Sequence, residues 1–290
     1  MKSYGWEMEL SWRDRIEDFN YGVRFTLADG QRKVLKYPNE SGDIYSWYNN
    51  KLDGTIWGYT TVGIAQTQEE MNAHLANNKP NWGSNWGAGD IMYADLNGDG
   101  EVTSGSKTLN DHGDLKIIGN SYARYNFGFT VDGSWRGLDF SIFLQGIMKR
   151  DYMLGGPYFW GAQGDQWQSC AFGEHLNYWR PEGDPLGANT GAYYPKPYFN
   201  TDKNQRTQTR YLQNAAYIRL KNMQVGYTLP RIWTQKAGME SVRIYVSGDN
   251  LLTLSDISGV FDPELLGSDW GDGKLYPLQK TISIGLNVNF

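Results

Sequence analysis

Hydrophobic and polar residues alternate with a period of two through seven stretches of this chain. Trp6, Met8, Leu10 and Trp12 interleave with Glu7, Glu9 and Ser11. Phe19, Tyr21, Val23, Phe25 and Leu27 interleave with Asn20, Gly22, Arg24 and Thr26. The same rhythm runs through Tyr125–Asp132, Leu138–Gln145, Ile218–Tyr227, Val242–Ser247 and Thr281–Phe290. Successive side chains of a strand point to opposite faces, so each stretch predicts a β-strand with one apolar and one mostly polar face. The strands are expected near residues 4–12, 18–28, 123–133, 138–149, 216–228, 241–252 and 280–290. The fifth changes phase at Lys221–Asn222, which predicts a bulge.

The connections between these strands alternate in length. Residues 29–122, 150–215 and 253–279 form long connections, and the others are shorter. A soluble sandwich has mostly short loops at both ends. A transmembrane barrel has short turns on one side and long outer loops on the other. Arg24, Arg124, Asp139, Arg219, Lys221 and Arg243 fall on the polar face. A dry core would have to pair them at high cost, whereas a wide lumen keeps them hydrated. Trp6, Trp12, Tyr21, Tyr227 and Phe290 suit an interfacial aromatic girdle. The fold expected is therefore all-β, with about seven antiparallel strands forming the C-terminal part of a large transmembrane β-barrel with long extracellular loops. Seven is odd, whereas bacterial barrels have even strand numbers, so earlier strands are expected. An antiparallel sheet with one face on a soluble core is the competing reading.

Composition narrows the class further. Aromatic residues make up 15% of the 290 positions and glycine supplies 35, which argues against disorder and for β structure. No apolar run approaches the ~18 residues of a membrane helix. One cysteine, Cys170, excludes a disulfide scaffold. A net charge of −5 offers nucleic acid no basic footprint. The first residues carry no leader pattern.

Asp95-Leu96-Asn97-Gly98-Asp99-Gly100-Glu101 matches the opening of a calcium loop, D-x-N-x-D-G. Side-chain oxygens of Asp95, Asn97 and Asp99 and the Glu101 carbonyl would converge because Gly100 permits the turn. Position twelve is Ser106 rather than the bidentate Glu of an EF-hand, so Asp111 or Asp114 would have to supply the missing carboxylate. The alternative is a metal-free Asx turn. If an ion binds, it is structural calcium, given the all-oxygen set. Residues 67–76 predict a short helix capped by Thr67, with Glu70 three positions on. Trp57, Tyr59, Trp82 and Trp86 are expected as packing anchors of the first long loop. The second is rich in rings, including Trp160, Trp167, Tyr178, Trp179, Tyr193 and Tyr194. These suit either internal packing or a ligand or partner surface. His74, His112 and His175 lack metal-ligand spacing, and Cys170 lacks a catalytic context. Asp165, Glu174, Glu182 and Asp184 read as solvated loop acids. No enzyme activity is expected.

Several strings occur in a telling order: Gly89 to Val102, Lys116 to Asn120, Ser134 to Ser141, Tyr178 to Pro181, Tyr217 to Asn222, Val225 to Pro230 and Ser247 to Leu251. This series resembles the C-terminal region of the SusC/RagA family of TonB-linked outer-membrane transporters. The resemblance implies a plugged barrel of about 22 strands, of which this chain would hold the last seven, without the plug. It implies residence in the outer membrane among its lipid, and TonB-dependent import of an oligosaccharide or peptide. The implied partners are a SusD-like surface lipoprotein and, through the missing N-terminal region, TonB. The runner-up is a secreted or surface β-rich carbohydrate-binding module or glycoside hydrolase.

Overall fold

A computed structural model describes residues 1–163, 169–199, 201–267 and 273–290. Seven strands form its main sheet: β1 (Lys2–Ile16), β2 (Phe19–Lys33), β3 (Arg124–Trp135), β4 (Leu138–Lys149), β5 (Tyr217–Thr228), β6 (Ser241–Ser255) and β7 (Thr281–Asn289). They lie in chain order, each antiparallel to the next. The ladder of β1 with β2 extends to Lys2↔Lys33, beyond the alternating residues, because backbone pairing does not require the apolar rhythm to continue. Arg136 and Gly137, both at positive φ, make the two-residue turn from β3 to β4, which suits the twist of a hairpin. Between β5 and β6 the register shifts from Leu220 to Asn222, at the phase change in the sequence.

The expectation of a transmembrane barrel wall is corrected by this topology. Among the described residues β1 pairs only with β2 and β7 only with β6, so the sheet is open. Closure needs tilt and stagger that bring first and last strands together, and here both edges remain free. With that wall go the reading of the chain as a barrel fragment of a SusC/RagA transporter, the assignment of transmembrane strands, and the import function built upon them. No helix among the described residues is long and apolar enough to cross a membrane, which bears on helices alone.

The two faces of the sheet differ as the alternation requires. Trp6, Leu10, Trp12, Ile244 and Val246 are exposed, Ile284 is 80% exposed and Leu286 62%. Among the described residues no second sheet seals this apolar face into a sandwich. On the polar face the charges find partners. Arg24 pairs with Glu9 at 2.8 Å, Arg124 with Asp29, and Arg243 with Asp139. Arg219 is almost fully buried, because the third long connection folds over it. Its guanidinium meets Asp262 at 2.7 Å and Glu264 at 3.0 Å, and Lys221 reaches Glu264 at 2.8 Å.

The hydrophobic core lies in the long connections. Ile44, Tyr59, Ile91 and Tyr93 come from the first, Leu154, Phe159, Trp160, Tyr194 and Tyr211 from the second, and Ile257 and Phe261 from the third. Short ladders brace it: Thr55–Gly58 with Lys116–Asn120, Thr61–Ile64 with Ile91–Tyr93, and Asp151–Met153 with Leu212–Asn214. Helix α1 (Gln68–Leu75) is capped by Thr67, whose hydroxyl accepts from the Glu70 amide at 3.1 Å, and it buries Met71.

The clamp at Arg219 generates a stability prediction. Arg219→Met leaves the nearly buried Asp262 carboxylate without its guanidinium and takes one of two cationic partners from Glu264, and should cost roughly 3–5 kcal/mol. Arg13→Met, at a pair 3.6 Å apart whose arginine side chain is 83% exposed, should cost less than about 1 kcal/mol. Denaturant titration of the two variants beside the unaltered chain checks the contrast.

Candidate functional site

The first and second long connections are locked together by a buried polar ladder. Asp90 is fully buried, accepts from Lys203 Nζ at 2.8 Å and from Asn204 Nδ2 at 2.9 Å, and also takes the Gly87 amide at 2.8 Å. Asn204 Oδ1 in turn accepts from the Ile91 amide at 2.9 Å. Tyr93 donates its hydroxyl to the Lys203 carbonyl at 2.9 Å and accepts from Gln208 Nε2 at 3.1 Å. Burial pushes the Tyr93 phenol far above its ordinary range, so it stays a neutral donor. Around this ladder the rings pack edge to face. Tyr93 lies 5.2 Å from Trp82, Trp160 4.7 Å from Tyr211, and Phe159 5.6 Å from Tyr194.

The aromatic residues named from sequence as a ligand or partner surface divide under this geometry. Trp160, Trp179 and Tyr194 are buried in the core, and Tyr178 and Tyr193 are half-buried against it. Trp167 and Asp165 lie outside the described residues. Trp179 donates its indole N–H to Gln66 Oε1 at 2.9 Å. Gly89, at φ +87°, passes so close beneath that a Cβ there would stand 2.5 Å from the Trp179 ring and 2.8 Å from Lys196 Cβ.

Trp160, Tyr178 and Tyr194 also edge a cleft of about 330 Å³ lined, among the described residues, from 160–162, 169–178, 194–199 and 201–205. Phe172, His175, Pro195, Lys196, Pro197, Tyr198, Phe199 and Lys203 complete much of its lining. Sequence reasoning did not single out His175 or the lysines for this role. The run Pro195-Lys196-Pro197-Tyr198 was the available signal, since two prolines stiffen a wall. His175 accepts from the Phe172 amide at Nδ1, 3.0 Å away, and turns Nε2 to the carbonyls of Tyr158 and Phe159 at 3.1 and 3.2 Å. This arrangement fits a neutral ring protonated at Nε2. Tyr198 takes the Lys203 ammonium 4.1 Å from its ring centre and the Lys196 ammonium at 5.5 Å. Burial, with Asp90 adding to it, raises the Tyr198 phenol above its usual range. Glu174 is engaged elsewhere, accepting from Ser258 at 2.8 Å and from Tyr194 at 3.4 Å.

The acidic loop folds around its own backbone. Asp95 accepts from the amides of Asn97, Gly98 and Gly100. Asp114 is fully buried and accepts from the amides of Leu96 and Thr103. Asn97 donates to Asp99 at 2.9 Å, Asp111 caps Ser106, and Glu101 is exposed. Among the described residues no group of three or more His, Cys, Asp or Glu side chains is arranged to hold a metal ion. The Gly100 amide chiefly holds the Asp95 carboxyl below its ordinary value, and the Ser106 hydroxyl does the same for Asp111.

Comparison with known proteins follows from this geometry. No family model matches the chain. It is 26% identical over 320 residues to TonB-dependent receptor P3 of Formosa agariphila, and 26% identical over 322 residues to TonB-dependent receptor P26 of the same organism. Both alignments cover 100% of this chain and 29% of the relative, so the chain spans under a third of the length of these proteins. Its fold is similar to part of the RagAB peptide transporter (TM-score 0.66, 20% identity, 99% of this chain, 29% of that one). It is also similar to part of the RagAB peptide importer in its open-open state (TM-score 0.67, 21% identity, 99% of this chain, 28% of that one). The relatives are named as receptors, and the two solved structures as a peptide transporter and a peptide importer.

Two predictions arise here. Gly89→Ala forces a side chain into a left-handed backbone position and into Trp179. It should cost about 1–3 kcal/mol and shift tryptophan emission to the red, read in a thermal fluorescence scan. Asp95 and Asp111 have folded-state pKa values below their unfolded ones. Their contribution is therefore complete above the unfolded value and lost as pH falls through the folded one. Amide exchange of residues 95–111 should accelerate below about pH 4, beyond its intrinsic pH trend.

Proposed function

We propose that the chain is a non-catalytic, β-rich binding module displayed at the cell surface, with its three long connections folded as a recognition domain for an oligosaccharide or peptide. The observation that carries this reading is the aromatic cleft on the loop core. Its size and mostly apolar lining match small-ligand sites. The receptor names of the relatives and the peptide named for RagAB support it. We assign a SusD-like surface lipoprotein and TonB as partners, a reading supported by the TonB-dependent receptor names of the longer relatives. Calorimetric titration of the full chain with oligosaccharide and peptide panels tests the reading. Phe199→Ala, at a half-exposed rim ring, should weaken binding roughly tenfold while leaving the melting temperature in place. Absence of binding from both panels would remove the proposal.

We further propose that the Asp95 loop takes calcium as a structural ion. The D-x-N-x-D-G spacing supports it, as does Asp114, whose carboxyl lies within hydrogen-bonding reach of Asp95. Calcium should raise the melting temperature of EDTA-stripped protein, and Asp95→Asn should abolish that rise.

A further inference from the structure

Two lysines face the ring of Tyr198, and their charges are answered unequally. Lys203 is buried and held by Asp90 at 2.8 Å. Its ammonium also donates to the carbonyl of Asn85 at 3.1 Å, so its charge is fully committed. Lys196 is exposed at the cleft, and no carboxylate lies within ion-pair distance of it among the described residues. Among the described residues two ammonium groups thus stand against one carboxylate, Asp90, which leaves one positive charge at a wall that is otherwise aromatic and proline-rich. Phe172, Leu176, Tyr178 and Phe199 supply the apolar surface beside it. The wall is fixed as well as charged. The Lys196 amide donates to the Gly89 carbonyl at 2.8 Å, and prolines flank it on both sides.

We propose that this cleft binds a ligand joining an apolar body to a carboxylate, with the body against Phe172, Tyr178 and Phe199 and the carboxylate at the Lys196 ammonium. The inference rests on the loop domain being a binding module and names the chemistry that module selects. Apolar burial supplies the affinity, and the uncompensated charge supplies the choice, because a neutral ligand leaves Lys196 unanswered. A peptide ending in a free carboxylate and a small aryl-alkanoic acid share this chemistry.

The test uses the full chain, dispersed in mild detergent on account of its exposed apolar sheet face. Four probes are titrated by calorimetry: N-acetyl-phenylalanyl-leucine as the free acid, the same dipeptide as its C-terminal amide, 3-phenylpropionate, and maltoheptaose. The free acid should bind roughly tenfold more tightly than the amide, and the gap should narrow with added salt. Lys196→Met should erase the gap and Lys196→Arg should restore it. Tighter binding of the dipeptide acid than of 3-phenylpropionate identifies a peptide end as the source, and the reverse identifies a small acid. Equal binding of acid and amide, or a preference that survives Lys196→Met, overturns the inference. Binding of maltoheptaose alone overturns it while leaving the binding-module reading intact. Binding of none of the four overturns this inference, and the module reading then stands or falls on the wider panels.

Discussion

Aromatic packing across three separate connections is the constraint on which this structure depends. Tyr93, Phe159 and Phe261 come from different long loops, and each is buried in one cluster. Long connections without such a core would carry backbone groups and ring surface that only water could satisfy. Here the rings exclude water, and key polar groups caught among them are paired. Asp90 with Lys203 and Tyr93 with Gln208 are the clearest cases. A buried polar network of this kind is stabilising only when nearly complete, so loss of one member is felt by both of the connections it joins.

The sheet obeys a different logic. Alternation assigns each side chain to a face, and the structure keeps the two faces distinct: rings and aliphatics on one, ion pairs on the other. Alternation is a local property, however, and closure is a global one. Nothing in the spacing of Trp6, Met8 and Leu10 states whether β1 meets β7, and in this chain it does not. The barrel expectation treated a two-faced strand as evidence for a closed wall, which is one inference more than the pattern contains. The charged residues were argued to need a wet lumen, yet each of Arg24, Arg124, Arg219 and Arg243 has a carboxylate in reach. Arg219 shows how a connection distant in sequence supplies that partner.

What the sequence made legible was short-range. The hairpin at Arg136-Gly137 and the Thr67 cap involve residues within four positions of one another. The loop core was not legible, because its contacts join residues far apart, as with Tyr93 and Gln208, which are 115 positions apart. The six aromatic residues read as a ligand or partner surface show a second limit. Ring-rich segments serve equally for packing and for recognition, and composition does not divide the two. Trp179 illustrates the packing use, hydrogen-bonded to Gln66 and pressed on Gly89. Tyr178 and Tyr194 take part in both, lying on the core and at the cleft. Lys203, between Asp202 and Asn204, carried no sequence signal, and the prolines flanking Lys196 mark a stiff wall without marking its charge as functional.

The cleft and the core are mechanically one object. Gly89 touches Trp179 on one side and holds the Lys196 amide on the other, while the next residue, Asp90, neutralises Lys203. Two adjacent residues of the first connection therefore fix both the position and the charge balance of a wall contributed by the second. A ligand at that wall would meet groups already immobilised by the core, so little side-chain entropy remains to be lost on binding. The same arrangement explains why the wall can carry an unanswered ammonium at all. Lys196 sits at the exposed rim, where water solvates it, and Lys203 takes the buried place where a carboxylate is obligatory.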